Sequence, residues 1–241
     1  MEWQGEAICL HSRRHGESAA IIEVLTPARG RHAGVVRGGG GRRMAPVLQP
    51  GAQLAVTWRA RLEGHLGQFS VEPLRARAPL IMADADRLAA LNALCALARH
   101  ALPEREPQPR LYAASAALLD LLADGGPWHG AYLAWELLLL EESGYGLDLS
   151  ACAVSGATKG LTHVSPKTGR AVTAAVAGNL APRLLPLPRL LAEPAAPVPD
   201  LAAQMRDGLR TTGHFLAQVL APALGDRPLP EARARLVARF A

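Results

Sequence analysis

The first 80 residues alternate short apolar runs with turn residues, a pattern typical of a small all-β module. In 52–62 the side chains of Leu54, Val56 and Trp58 alternate with mostly polar neighbours, which is the period of a half-buried strand. Further β-prone runs predict strands at 7–11, 19–25, 32–36 and 68–74. Five short strands favour a closed or partly open barrel, which leaves few exposed sheet edges. An OB-fold is the natural candidate, and an SH3-like barrel fits the strand count nearly as well.

Beyond residue 80 the apolar positions change to helical spacing. In 84–102 leucines recur at three-residue intervals, and Asp84 or Asp86 can cap the start of the helix. The same reasoning predicts helices at 110–123, 130–143, 200–220 and 230–240. Residues 148–178 lose the helical period and carry turn residues instead. The stretch 182–199 is rich in Pro and Leu.

The pattern therefore predicts an α+β protein with two domains. Residues 1–80 form the all-β barrel, and residues 81–241 form an α-helical domain with an irregular insert at about 148–178. The composition is 49% hydrophobic and 20% charged, which is sufficient for a buried core.

The net charge is concentrated in the predicted barrel. Residues 1–80 hold 11 arginines and 6 glutamates, an excess of +5, whereas 81–241 balance 15 basic against 15 acidic groups. A localised basic field attracts phosphate backbones through steering and counterion release. A solvated basic face without a partner remains open as the alternative.

A run of four glycines at 38–41 lies between Arg37 and the pair Arg42 and Arg43. Glycines leave the backbone open to close approach, and guanidiniums hold phosphates through two parallel hydrogen bonds. The run is not a P-loop, because no Lys-Ser/Thr follows it, and no βαβ pattern supports a dinucleotide fingerprint. The alternative interpretation is a flexible, solvated connection between strands.

Further arginines fall on the predicted strands and turns of the barrel. Arg59 and Arg61 alternate along one predicted strand, on the face opposite Trp58. Each arginine taken singly could instead solvate an outer sheet face. The predicted DNA-binding set is Arg13, Arg14, Arg31, Arg37, Arg42, Arg43, Arg59 and Arg61.

Neither a metal site nor a catalytic site is predicted. Cys9, Cys95 and Cys152 have no close spacing, the eight histidines are widely spread, and Ser155 stands where a CxxC partner of Cys152 would be. No GxSxG elbow, HExxH motif or paired carboxylates are present. We therefore expect a non-enzymatic protein without cofactors.

A cytoplasmic location is predicted from the same sequence. Scattered cysteines suit a reducing compartment, and no segment approaches the ~18 apolar residues of a membrane span. The acidic, polar start of the chain does not fit a signal peptide.

Several segments resemble the RecO family of recombination mediators. Residues 136–156, ELLLLEESGYGLDLSACAVSG, resemble its recurrent ELxLLxxxGYGLDLSxCAVxG, and 164–172, VSPKTGRAV, are similar to its VSPKSGRAV. Shorter similarities lie at 212–216 and 227–233, and the likeness covers essentially the whole chain. The alanine-rich composition is most similar to alphaproteobacterial members.

This resemblance implies an N-terminal OB-fold, a helical domain and a role in DNA repair and homologous recombination. It implies binding of single- and double-stranded DNA, annealing of complementary strands and, with RecR, loading of RecA onto strands coated by single-stranded DNA-binding protein. RecF is a further implied partner. Docking of the C-terminal tail of single-stranded DNA-binding protein requires an apolar pocket edged by arginine, for which Arg110, Arg183 and Arg206 are candidates.

The resemblance also bears on zinc, since some family members carry a four-cysteine module after the Leu-Asp-Leu-Ser motif. Here only Cys152 matches a ligand position and Ser155 replaces the next, so we expect no zinc and a segment held by packing and hydrogen bonds. Aromatic residues are few in the barrel, namely Trp3, Trp58 and Phe69, so phosphate contacts should dominate over base stacking. The rival hypothesis is a non-enzymatic adaptor whose basic barrel binds an acidic protein partner.

Overall fold

Five strands close into a barrel in the order β1-β2-β3-β5-β4. Their bounds are Glu2–His15 (β1), Ala19–Thr26 (β2), Gly30–Val36 (β3), Gln53–Arg59 (β4) and Gln68–Arg75 (β5). The long strand β1 pairs with β4 through its first half and with β2 through its second half, while β3 and β5 pair in parallel. This is the five-stranded barrel of the OB-fold, so that prediction is confirmed. The computed structural model describes residues 1–62, 64–193, 197–223, 225 and 227–241.

Two strand boundaries differ from the sequence prediction. Strand β1 begins at Glu2 rather than at residue 7, because residues 2–8 form a ladder with β4 even though most of their side chains are exposed. Strand β4 ends at Arg59, so Arg61 lies beyond the strand and does not alternate within it. The predicted burial of Trp58 is confirmed, since that residue is 2% exposed.

Three helices pack in the same compact unit as the barrel. They are α1 (Ala78–Ile81), α2 (Ala85–Ala101) and α3 (Pro109–Asp124). Asp84 caps α2 by accepting hydrogen bonds from the backbone N–H groups of Asp86 and Arg87, as the sequence predicts. The buried Arg77 connects the barrel to α3, since its side chain donates hydrogen bonds to the carbonyl of Gly51 and to Asp120 of α3. The compact units are 1–126 and 127–241, and a domain division at residue 80 stays a prediction.

The glycine run is a hydrogen-bonded turn within the barrel. The N–H of Gly39 donates to Val36 and that of Gly40 donates to Ser18, in the turn between β1 and β2. Gly39 is buried, and a Cβ there would lie 2.8 Å from the Cβ of Ala20 and 2.9 Å from the carbonyl oxygen of Val36. Packing therefore requires glycine at this position, which a freely solvated connection would not.

Replacement of Gly39 by alanine should lower the free energy of unfolding by about 1–3 kcal/mol, because the methyl group must displace backbone and a strand residue. Gly64→Ala is the matched control, since a Cβ at Gly64 has no atom within 4 Å. Urea unfolding of both variants measures the difference, and equal midpoints would contradict the packing argument.

The second compact unit combines helices with a small sheet. Its elements are α4 (Trp128–Glu142), β6 (Leu161–Val164), β7 (Ala171–Thr173), α5 (Ala174–Ala177), a 3₁₀ turn (Gly178–Arg183), β8 (Leu185–Pro186), α6 (Arg189–Ala192), α7 (Leu201–Ala223) and α8 (Glu231–Ala238). The five predicted helices are confirmed as α2, α3, α4, α7 and α8, with ends that shift by a few residues. The three-stranded sheet β7-β6-β8 was not predicted, because strands of four, three and two residues are too short to show a period.

A buried ion pair lies at the centre of the second unit. Glu136 of α4 is fully buried and accepts hydrogen bonds from Arg233 of α8, from Tyr132 and from Thr212 of α7. Burial, followed by the charge of Glu136, raises the pKa of Tyr132 well above its ordinary value, so its hydroxyl stays protonated and donates. One carboxylate therefore joins three helices. The sequence alone suggested no role for Glu136.

Candidate nucleic-acid interface

Three of the predicted arginines line two neighbouring grooves on the barrel, which share lining residues and together form the groove. Two adjoining grooves of about 350 Å³ and 440 Å³ share Arg59 and Gln68. Arg37 lines the first of them, and Arg61 with His65 lines the second. The sheet register explains the convergence, because Gln68 of β5 pairs with Arg59 of β4 and with Val35 of β3.

A hydrogen bond from Trp58 holds the loop that follows Arg59. The indole N–H of this buried ring donates to the carbonyl of Leu66 at 3.0 Å. Gly67 permits the contact, because its φ is +68° and a Cβ there would lie 2.4 Å from the indole nitrogen. Strand alternation then places Arg59 on the outer surface, exposed, while Trp58 points inward.

Charge in this groove is only partly neutralised. Arg59 forms an exposed ion pair with Glu2 at 2.8 Å, and the hydrogen bond from Arg59 lowers the pKa of Glu2. Arg37 and Arg61 are exposed, and no described acid forms an ion pair with either of them. The groove therefore presents two guanidiniums that no described acid neutralises and one that shares a carboxylate, together with the polar side chains of Gln68 and Ser70.

Four other predicted arginines lie beside two neighbouring turns of the barrel, the hairpin turn between β1 and β2 and the glycine turn after β3. Arg13 and Arg14 are at the end of β1, opposite the first residues of β2, and Arg42 and Arg43 follow the glycine turn. The hydrogen bond from Gly40 to Ser18 brings these two turns together. All four arginines are exposed, and none is ion-paired within the described residues.

Arg31 has an internal role that distinguishes it from the rest of the predicted set. Its side chain is 16% exposed, and the guanidinium contacts Glu23 at 2.9 Å and Glu104 at 3.3 Å, while Nε donates to the carbonyl of Leu102. Burial opposes ionisation of Glu23, but the bonds from Arg99 and Arg31 outweigh it and lower the pKa of that carboxyl. We therefore leave Arg31 out of the candidate interface.

Ion pairing divides the eleven arginines of 1–80 into two groups. Four are ion-paired, namely Arg31, Arg59, Arg75 and Arg77. The other seven, eleven minus four, have no ion pair to an acid that the structure describes: Arg13, Arg14, Arg29, Arg37, Arg42, Arg43 and Arg61. The partners Glu104, Asp120 and Asp124 come from beyond residue 80, which is why counting charges along the sequence could not separate the two groups.

The three arginines proposed for partner binding lie on different elements. Arg110 is at the start of α3 in the first unit, Arg183 ends the 3₁₀ turn, and Arg206 lies in α7, 3.6 Å from Asp207. Arg183 and Arg206 belong to the second unit, and all three are exposed. Their role in partner binding stays a prediction.

Hydrogen bonds hold the segment around Cys152. Asp148 N–H donates to Gly169, and Ala171 N–H donates back to Asp148. The Cys152 side chain is buried, and donors from the side chain and backbone of Ser155 lower the pKa of its thiol to about 6. Within the described residues, no group of three His, Cys, Asp or Glu is placed to hold a metal ion. No helix among the residues that the structure describes is long and apolar enough to span a membrane.

Aromatic residues gather at the mouth of the barrel, a feature that sequence reasoning missed. Trp3 and Trp58 lie nearly parallel at 6.0 Å, and the His32 ring stands edge-on to Trp58 at 4.8 Å. Burial, followed by the charges of Arg105 and Arg29, lowers the pKa of His32 to about 4. The cluster could have been predicted from the pairing of Trp3 with Trp58 between β1 and β4. That pairing requires β1 to begin at Glu2, whereas the sequence pattern predicted a start at residue 7.

The fold and groove define an OB-fold protein with a helical second unit. Family models described as Recombination protein O N terminal and Recombination protein O C terminal match residues 1–77 and 82–228. The chain belongs to the RecO family.

Similar proteins named DNA repair protein RecO come from alphaproteobacteria. The protein from Ruegeria sp. is 57% identical over 237 residues, which are 98% of this chain and 97% of the relative. That of Cereibacter sphaeroides is 58% identical over 237 residues, with the same coverage. That of Roseobacter denitrificans is 57% identical over 240 residues, 100% of this chain and 98% of the relative.

Proposed function

We propose that this protein is a cytoplasmic recombination mediator that binds single- and double-stranded DNA and anneals complementary strands. In this role it helps RecR load RecA onto strands coated by single-stranded DNA-binding protein, whose C-terminal tail it binds, and RecF is a further partner. Membership of the RecO family supports the general role in DNA repair. The groove lined by Arg37, Arg59 and Arg61 is the observation that carries the DNA-binding part.

The groove suits a phosphate backbone better than a particular base sequence. Guanidiniums contact phosphates regardless of sequence, and such contacts position a strand without reading it. Annealing requires this property, because two strands must be neutralised while their base edges stay free to pair. Binding and release of this kind is non-covalent, so the proposed role needs no catalytic group.

Purified protein should bind both a labelled single-stranded oligonucleotide and its duplex, as measured by fluorescence anisotropy at low salt. It should also accelerate pairing of two complementary labelled strands, followed by energy transfer between the dyes. Absence of binding to either DNA, together with tight binding of an acidic protein, would favour the adaptor hypothesis instead.

Glu2 competes with DNA for Arg59. Because the ion pair is exposed, its exchange for a phosphate is expected to be easy, and Glu2→Gln should tighten DNA binding only about two- to fivefold. Glu231→Gln makes the same charge change at the exposed Glu231–Arg235 pair of the second unit and should have a smaller effect. Anisotropy titrations measure the DNA affinity of both variants. Equal gains in affinity would mean that the net charge of the protein, and not the release of Arg59, determines the change.

A further inference from the structure

A cavity of about 240 Å³ opens at the barrel mouth, next to the arginine groove. It is lined by Met1, Glu2, Trp3, Arg29, His32, Trp58 and Arg105. At roughly 30 Å³ per water molecule this volume corresponds to several waters, so the cavity has room for one planar heterocyclic ring. Trp3 is half-buried and so offers part of its ring, while Trp58 and His32 are 2% and 4% exposed and form the inner wall.

The wall of this cavity contains polar atoms without partners. Neither ring nitrogen of His32 has a hydrogen-bond partner among the described residues, although both are buried. The lowered pKa keeps the ring neutral at pH 7, so one nitrogen donates and the other accepts. Buried polar groups in folded proteins are nearly always paired, which makes this imidazole an exception that a ligand with donors and acceptors would remove.

Arg105 is held in an unusual backbone conformation at the rim. Its φ is +65°, a left-handed value that a residue with a Cβ rarely adopts. The conformation is fixed by a hydrogen bond from its N–H to Arg31, and the guanidinium lies 5.9 Å from the centre of the Trp58 ring. Arg29, also on the rim, is exposed and is not ion-paired within the described residues. Aromatic walls with a cationic rim suit a planar group attached to an anion.

Two direct contacts connect the cavity with the groove. Glu2 lines the cavity and forms its ion pair with Arg59 of the groove. Arg105 lines the cavity and donates to the carbonyl of His65, a residue of the groove. A strand whose phosphates lie along the groove can therefore turn one base into the cavity.

We infer that the cavity between Trp3, His32 and Trp58 receives one unpaired base of a single DNA strand bound in the adjacent groove. The inference rests on the proposed function and deepens it, since it adds base stacking to a binding mode that otherwise depends on phosphates. A duplex keeps its bases paired, so it should not use the cavity. The site thereby distinguishes single from double strands without reading sequence.

The test compares oligothymidylate with a fully abasic strand of the same length, which keeps every phosphate. Wild-type protein should bind oligothymidylate about tenfold more tightly, equivalent to about 1.4 kcal/mol and within the range for one stacked base. Trp3→Leu should bring the two affinities together by weakening only the oligothymidylate complex. Trp3→Phe, which keeps an aromatic ring, should retain most of the difference, and affinity for duplex should not change in either variant.

Intrinsic fluorescence provides a readout that does not depend on a variant folding. Oligothymidylate should quench the tryptophan emission of the wild-type protein, and the abasic strand should not. Equal affinity for the two strands, or equal quenching by both, would overturn the base site while leaving the proposed function intact. If neither strand binds, the proposed function fails as well. Quenching by a peptide with a C-terminal aromatic residue, but not by DNA, would assign the cavity to a protein partner and refute the inference.

Discussion

Arg233→Ala is expected to destabilise the second compact unit by about 3–5 kcal/mol, because it leaves a buried carboxylate without its counter-ion. The Arg233 side chain is 6% exposed, and its Nε and Nη2 donate to the two oxygens of Glu136 at 2.8 Å and 2.9 Å. Nη2 also donates to the carbonyl of Leu209. Chemical denaturation followed by near-ultraviolet circular dichroism would measure the loss.

The exposed Arg235 on the same helix is the matched control. Among the described residues its one ion pair is the i,i+4 contact with Glu231 at 3.4 Å, and both side chains are well exposed. Arg235→Ala should therefore change the free energy of unfolding by less than about 0.5 kcal/mol. Glu136→Leu with Arg233→Met and Tyr132→Phe should recover much of the lost stability, because this triple variant removes both charges and the buried hydroxyl that donates to Glu136. A loss as large in the triple variant as in Arg233→Ala would mean that shape, and not charge, dominates at this site.

The same network explains why distant segments of the sequence act together. Glu136 begins the segment 136–156, Thr212 lies in 212–216 and Arg233 lies in 227–233, the segments on which the family resemblance depends. Gly213 admits the arginine, since a Cβ there would lie 2.7 Å from its Nη1. Three segments that are far apart in the sequence therefore contribute to one hydrogen-bonded cluster in the fold.

The features that could be predicted from the sequence are the strands and helices, because they depend on patterns within a few residues. Alternation around Trp58 gave the strand and its buried face, and Asp84 gave a helix start, because both signals lie within a few residues. The identity of the OB-fold needed the strand order, in which β5 inserts between β3 and β4. No local pattern encodes that pairing.

The candidate site was predictable only in part, because pairing of charges is a long-range property. Arg31 and Arg37 look equivalent in the sequence, yet one is bonded to Glu23 and Glu104 while the other lines an open groove. The imidazole of His32, whose nitrogens have no hydrogen-bond partner among the described residues, could not be predicted either, because its ring contacts side chains from β1 and β4. Counting charged residues in the sequence gave the positive sign of the net charge on the barrel. It could not show which guanidiniums are free of ion pairs to described acids and so available to bind phosphate.

Simultaneous replacement of Arg37, Arg59 and Arg61 by alanine should weaken binding of single-stranded DNA by about 2–3 kcal/mol, roughly 30- to 160-fold. This estimate takes about 1 kcal/mol for each exposed charge-assisted contact. The slope of log affinity against log salt should also become less negative by about 2, at roughly 0.7 per phosphate contact on a single strand. Anisotropy titrations at several salt concentrations give both quantities from one data set.

A triple variant of the second unit tests whether the loss of DNA affinity comes from the groove itself or from the lower net positive charge of the protein. Arg210, Arg227 and Arg235 are exposed, and their replacement by alanine removes the same three charges. None of these three arginines is among the residues that line the groove, so if DNA binds along the groove this control should leave affinity and slope close to those of the wild type. Equal losses in the two triple variants would show that net charge alone attracts DNA. A wild-type slope near zero would remove phosphate contacts from the mechanism altogether, because counterion release is the physical consequence of every such contact.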